Sequence, residues 1–144
     1  MIERAFAKLI TADTSTPFKY KGAGQAGSTC FVETIPASPD RMVSVQTGIP
    51  MPQMTKAAFD LRAIQLRIRG AIRDNNPADA EALYALFNCL DATVLDQGGV
   101  DECRLITCTA SQSGPVSLGR DSNERYEWSV NLSVRVVNRT AHRP

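Results

Sequence analysis

The chain has 144 residues, 43% of them hydrophobic and 22% charged, which is enough for one hydrophobic core and too little for two comfortable ones. Sixteen Lys and Arg against fifteen Asp and Glu leave a formal net charge of +1, so no global charge draws the protein to nucleic acid or to a membrane surface. No stretch approaches the ~20 apolar residues of a membrane span, and the N-terminus lacks the charge, apolar run and small-residue cleavage site of a signal peptide, so a protein made in the cytoplasm is expected.

In chain order, Ile2, Phe6, Leu9 and Ile10 share one helical face, with Glu3 near the start and Lys8 near the end as the helix dipole prefers. A short N-terminal helix over 1–10 is expected. Residues 11–28 are polar and small, with Pro17, Gly22, Gly24 and Gly27, and read as a loop with little to give a core. Residues 29–35 are rich in β-branched and aromatic side chains, and 41–46 form a second candidate strand after Pro36 and Pro39. These two strands are suited to pair. Residues 48–60 carry Pro50, Met51, Pro52, Met54 and Phe59 without clear periodicity, a long connection in which Met51 and Met54 are candidate contacts.

The stretch from Arg62 to Leu90 organises the rest. Ile64, Leu66 and Ile68 alternate with Gln65, Arg67 and Arg69, the period of a strand with one face buried and one wet, ending at Gly70. Asn76 sits where an N-cap belongs, Pro77 at the first helical position and Asp79 in the first turn. Leu83, Leu86, Phe87 and Leu90 then form an apolar stripe that must cover a sheet. After the turn signal Asp96-Gln97-Gly98-Gly99, residues 102–110 read as a strand with Arg104, Ile106 and Cys108 on one face and Cys103, Leu105 and Thr107 on the other. Residues 111–125 are mainly polar and long for a structureless connection, which favours a functional loop. We expect 114–125 to be a contact loop that orders on assembly, with Val116, Leu118, Arg120 and Asp121 as its contact residues. Residues 126–137 alternate cleanly, Tyr126, Trp128, Val130, Leu132, Val134 and Val136 against polar neighbours. At ~3.3 Å per residue this strand would span roughly 40 Å and pair with 102–110. The expected domain is 1–137, with 138–144 a flexible basic tail.

Chemistry is weakly signalled. Gly22-Ala23-Gly24-Gln25-Ala26-Gly27 matches the dinucleotide fingerprint letter for letter, yet a polar segment precedes it and a β-prone one follows, where a strand and a helix are required. Asp121-Ser122-Asn123 opens like a calcium loop, but Arg125 and Tyr126 stand where the next ligand and the glycine belong. The cysteines Cys30, Cys89, Cys103 and Cys108 are scattered, without zinc-ligand spacing, and read as free thiols. The single histidine is His142, in the tail, so no Ser/His or Cys/His pair is offered. No enzyme, cofactor or metal is expected. Arg62, Arg67 and Arg69 suggest a basic stripe, either solvated and ion-paired or a contact with a subunit or polyanion, and Arg67 and Arg69 are the contact candidates.

The order of these segments resembles a known family. "FVETIPASPDRMVSV", "IQLRIRG", "ADAEALYALFNCL" and "PVSLGRDSNERYEWSVNLSVRVV" together are similar to tailed-bacteriophage tail terminator proteins, also called minor capsid proteins. The most specific parts are Arg69-Gly70 and the turn Leu118 to Asp121 that feeds a strand with Asn131. Gly48-Ile49-Pro50 only loosely follows the family's glycine-proline turn, and the glycine-rich segment near Gly22 is an insertion. The resemblance implies a single α+β domain: a mixed or antiparallel β-sheet, helices packed on one face and a long C-terminal strand. It also implies a virion protein of the tail and neck, a ring, commonly a hexamer, that ends tail-tube polymerisation and meets the head connector. Its partners are further copies of itself, the tail tube protein and the connector or stopper protein, with DNA only passing through the lumen and no membrane. The competing readings are a head-completion or stopper protein of the neck, a small enzyme or ligand-binding α+β protein, and a nucleic-acid-binding module that the Arg62, Arg67 and Arg69 stripe would serve but a net charge of +1 does not favour.

Overall fold

The computed structural model describes residues 1–22, 25–49, 58–72 and 77–138, with Ile72 described by its backbone. The expectations resting on Met51, Met54, Asn76, His142 and the tail 139–144 lie outside these residues. Helix α1 is Ile2–Ala12, and it buries Phe6 and Ile10 together with Ala5 and Ala7. Lys8 does not serve the helix's own C-terminus; its ammonium binds Asp96 at 2.7 Å and Asp101 at 3.0 Å.

The described residues between α1 and Cys30 have no regular structure, as the sequence implies, but they do feed the core. Phe18 is fully buried and Thr16 nearly so. One aromatic side chain in a polar stretch has no periodicity to reveal it, yet it carries a large apolar area inward.

The strands are β1 (Cys30–Val32), β2 (Met42–Thr47), β3 (Phe59–Ile72), β4 (Val94–Leu95), β5 (Cys103–Ala110), β6 (Val116–Arg120) and β7 (Arg125–Val137). They form a mixed sheet of order β1-β2-β3-β7-β5-β4, with β6 also on β7. β1 runs parallel to β2, and the other pairs are antiparallel. The expected pairings of the first two strands, and of 102–110 with the C-terminal strand, both occur. β3 is longer than its alternation indicated. It continues past Gly70, with a register shift against β7 between Arg69 and Ile72.

Register explains the core. Val43 and Val45 of β2 lie opposite Ile68 and Leu66 of β3, which in turn lie opposite Trp128 and Val130 of β7. These side chains, with Ile64, Leu132 and Val134, form one apolar cluster that also takes in Phe6, Ile10, Leu83 and Phe87. Helix α2 (Ala78–Phe87) buries Ala80, Leu83 and Phe87, and the Phe87 ring stacks on Phe6 with centroids 4.8 Å apart. Pro77 stands at the N-cap rather than at the first helical position. The helix ends at Phe87, so Leu90 joins the core from the extended segment beyond it, partly buried like Leu86.

Two expectations are overturned by irregular register. In β5, Leu105 faces Val136 and Thr107 faces Arg135, so one extra residue intervenes. This bulge places Leu105 and Cys108 both in the core and leaves Ile106 38% exposed, which strict alternation forbids. The segment 111–125 is not a loop awaiting assembly: β6 pairs with β7 inside the subunit. Sequence periodicity missed it because every residue of β6 is exposed, and a second shift falls between Ser117 and Gly119.

Candidate assembly surface

The arginines of β3 do not form a stripe. Arg62 lies on the face of Ile64 and Leu66 at the strand's end, 3.6 Å from Asp60, whereas Arg67 and Arg69 point to the opposite face. Arg69 is buried at 3% exposure. Its Nη2 donates to the carbonyls of Pro36 and Pro39 at 2.8 and 2.7 Å, and its Nε to that of Asp40 at 3.1 Å. Arg125, equally buried, donates from Nη1 to the Ala37 carbonyl at 2.6 Å and to Asp40 Oδ1 at 3.2 Å, and from Nε to Asp121 Oδ2 at 2.8 Å. The two guanidiniums thus hold the connection between β1 and β2 onto the ends of β3 and β7.

Burial, and then the neighbouring Arg125, pulls the Arg69 pKa down, against the pull of Asp121, Glu127 and Asp40. An arginine stays charged through such a shift, so the carbonyl cage is what satisfies it. Arg67 Nη2 donates to Glu127 at 3.0 Å, and its buried Nε has no hydrogen-bond partner among the described residues. Both candidate arginines are therefore engaged within their own subunit.

Asp121 is likewise a turn organiser. Its Oδ1 accepts the backbone N–H groups of Asn123 at 2.9 Å and Arg125 at 3.0 Å, which fixes the tight connection from β6 to β7. Burial pushes its carboxyl up, but these donors and the Arg125 guanidinium outweigh it and hold the group below its ordinary value. The segment is a turn, as expected. Among the described residues no group of three His, Cys, Asp or Glu side chains is placed to hold a metal ion. Gly22 follows irregular chain and Gly27 leads into β1, so the glycine pattern has neither the strand nor the helix of a dinucleotide site.

Val116, Leu118 and Arg120 remain as outward-facing candidates. Val116 is 37% and Leu118 44% exposed, and the Arg120 guanidinium lies 5.8 Å from the centre of the Tyr126 ring. At the other end of β7, Ala92, Val94, Ile106 and Val137 line a groove of about 400 Å³ with Arg104 and Leu105. A larger cleft of about 550 Å³ lies between Met1, Glu3, Asp60, Arg62 and Asp101. Its deepest carboxylate is spent: Asp101 binds the N-terminal ammonium and the Arg4 guanidinium, each at 2.9 Å, as well as Lys8. Neither the groove nor the Asp101 cluster was legible in the sequence, because each joins residues far apart in the chain.

Residues 19–138 match the family described as bacteriophage tail terminator protein, well over half of the chain. The chain belongs to the bacteriophage tail terminator family. A comparison with the curated proteins gave no match. Among solved structures, a chain of the "Virion of native gene transfer agent (GTA) particle" shares the fold, with a TM-score of 0.67 at 14% identity over 95% of both chains. Tail terminator family membership makes this a structural protein of the phage tail, located in the virion. The described residues include no helix long and apolar enough to cross a membrane. For a tail terminator family subunit the relevant chemistry is that of contact surfaces, and the exposed hairpin of β6 and the groove beside β5 are the surfaces to explain.

Proposed function

We propose that the protein assembles as a ring, a hexamer, on the head-proximal end of the tail tube. There it stops tube polymerisation and offers a surface to the head connector, and DNA passes through its lumen. The observation that carries this reading is the family match over residues 19–138. In this reading residues 1–137 form the working domain, and Asn138, whose backbone N–H donates to the Ala58 carbonyl at 3.0 Å, closes it. Both helices cover one face of the sheet in this reading, supported by the Phe6–Phe87 stack and by the apolar cluster that they share with β2, β3 and β7. The opposite face and the β6 hairpin are left for neighbours. The task is geometric and needs no reaction or cofactor.

The reading is tested by polymerising the tail tube protein of the same phage with and without this protein and measuring tube lengths. Added protein should stop growth at a substoichiometric ratio and hold tube length constant. Tubes that lengthen at the same rate in its presence would contradict the role, and binding to the portal-side assembly with no effect on tubes would point to a stopper.

A further inference from the structure

The outer edge of β7 carries two strands end to end: β5 along Leu132 to Val136 and β6 along Tyr126 to Ser129. Beyond β5 the chain lays down one more layer. The N–H groups of Leu90 and Ala92 bond to the carbonyls of Cys108 and Ile106, and the N–H of Leu105 to that of Thr93. This layer stops at Asn88, whose side-chain oxygen accepts the Ala110 N–H at 3.0 Å. Beyond β6, among the described residues, no further strand follows. Among these residues the sheet is one strand short there, on an edge that bears exposed Val116 and Leu118. Such an edge templates unwanted pairing unless something covers it.

The opposite end of the same edge holds the groove of Ala92, Val94, Ile106 and Val137, with exposed Asp91 beside Ala92. One end of the molecule therefore presents two aliphatic side chains followed by a cation, Arg120. The other presents a recess lined by aliphatic side chains and by the stem of Arg104, with the anion Asp91 beside it. We propose that the β6 hairpin of one copy docks into this groove on the next copy, with Val116 and Leu118 in the recess and Arg120 against Asp91.

This inference rests on the ring reading above and specifies its contact. The occupant is a second copy because the apolar and charge complement of the hairpin lies on the same chain, at the far end of the same strand. Two different patches joined head to tail generate a ring when the rotation closes. The recess is small beside the ~800 Å² per partner of a stable interface, so closure depends on several such contacts made together on a template.

The test uses the full chain, with Cys89, the exposed native thiol, changed to serine. Leu118→Cys combined with Ile106→Cys, oxidised on tube ends, should give a ladder of disulfide-linked multimers on a non-reducing gel, and either cysteine alone should not. Arg120→Glu and Asp91→Arg should each raise the concentration needed to cap half the tubes by about tenfold or more, and the two combined should restore it. Melting temperatures of all variants serve as the folding control. Rings visible in micrographs without a ladder, or charge variants that cap normally, overturn this contact and leave the ring standing. A wild-type protein that forms no ring on tube ends overturns both.

Discussion

Phe87 joins the helical layer to the sheet, its ring fully buried and stacked on Phe6 at 4.8 Å. Phe87→Ala removes both the burial and the stack and should destabilise the subunit by roughly 3–5 kcal/mol, measured by urea unfolding. A loss under about 1 kcal/mol would mean that the ring is not core. Asp101 gathers three cations, the N-terminal ammonium, Arg4 and Lys8. Its carboxyl is held well below the usual range, first by the N-terminal ammonium and then by Lys8 and Arg4, against the opposing effect of burial. A depressed native pKa contributes stability above the unfolded value of ~3.9 and loses it as pH falls. The melting temperature should therefore decline from about pH 5 downward, as it should also through Asp96, whose carboxyl Lys8 lowers in the same way. Asp101→Asn should lower the melting temperature at pH 7 and make the acid decline shallower. Parallel curves for variant and wild type would remove Asp101 from the account.

At the scale of elements, legibility followed periodicity. The alternation of Ile64, Leu66 and Ile68, and that of Val130, Leu132 and Val134, survives in the structure because one face of each strand is buried and the other wet. The α2 stripe was legible at Leu83 and Phe87 for the same reason, whereas Leu90 lies past the helix end. Strict alternation puts the β5 side chains on the wrong faces because a bulge leaves no mark in composition. β6 looks like a loop in sequence because a strand with every side chain exposed has no alternation, and Gly119, at φ +82°, is a residue typical of turns. That glycine gives a test of the hairpin. A Cβ there would meet no atom within 4 Å, so Gly119→Ala probes backbone strain alone and should cost about 1 kcal/mol. Val116→Ser with Leu118→Ser removes only half-exposed contacts and should lower the melting temperature by less than about 4 °C. A larger drop would show that β6 is packed core rather than an outward edge.

For the whole molecule, the order of segments was enough to suggest the family, which the match over residues 19–138 then established. The surroundings of the candidate contact residues were less legible. Arg67, Arg69 and Asp121 looked like surface charges, but they serve Glu127, a carbonyl cage and a turn, partners brought close only by folding. Val116, Leu118 and Arg120 do face outward. Because the recess beside β5 is small and the described residues expose no seam of obligate-interface size, the isolated protein should be monomeric or weakly associating at micromolar concentration by light scattering. The central claim is that these weak contacts close into a ring on a tube end. Electron cryomicroscopy of tail tubes incubated with the protein tests it most directly: the account predicts a single sixfold ring at one end of each tube, and bare ends, or protein bound there as isolated copies, would contradict it.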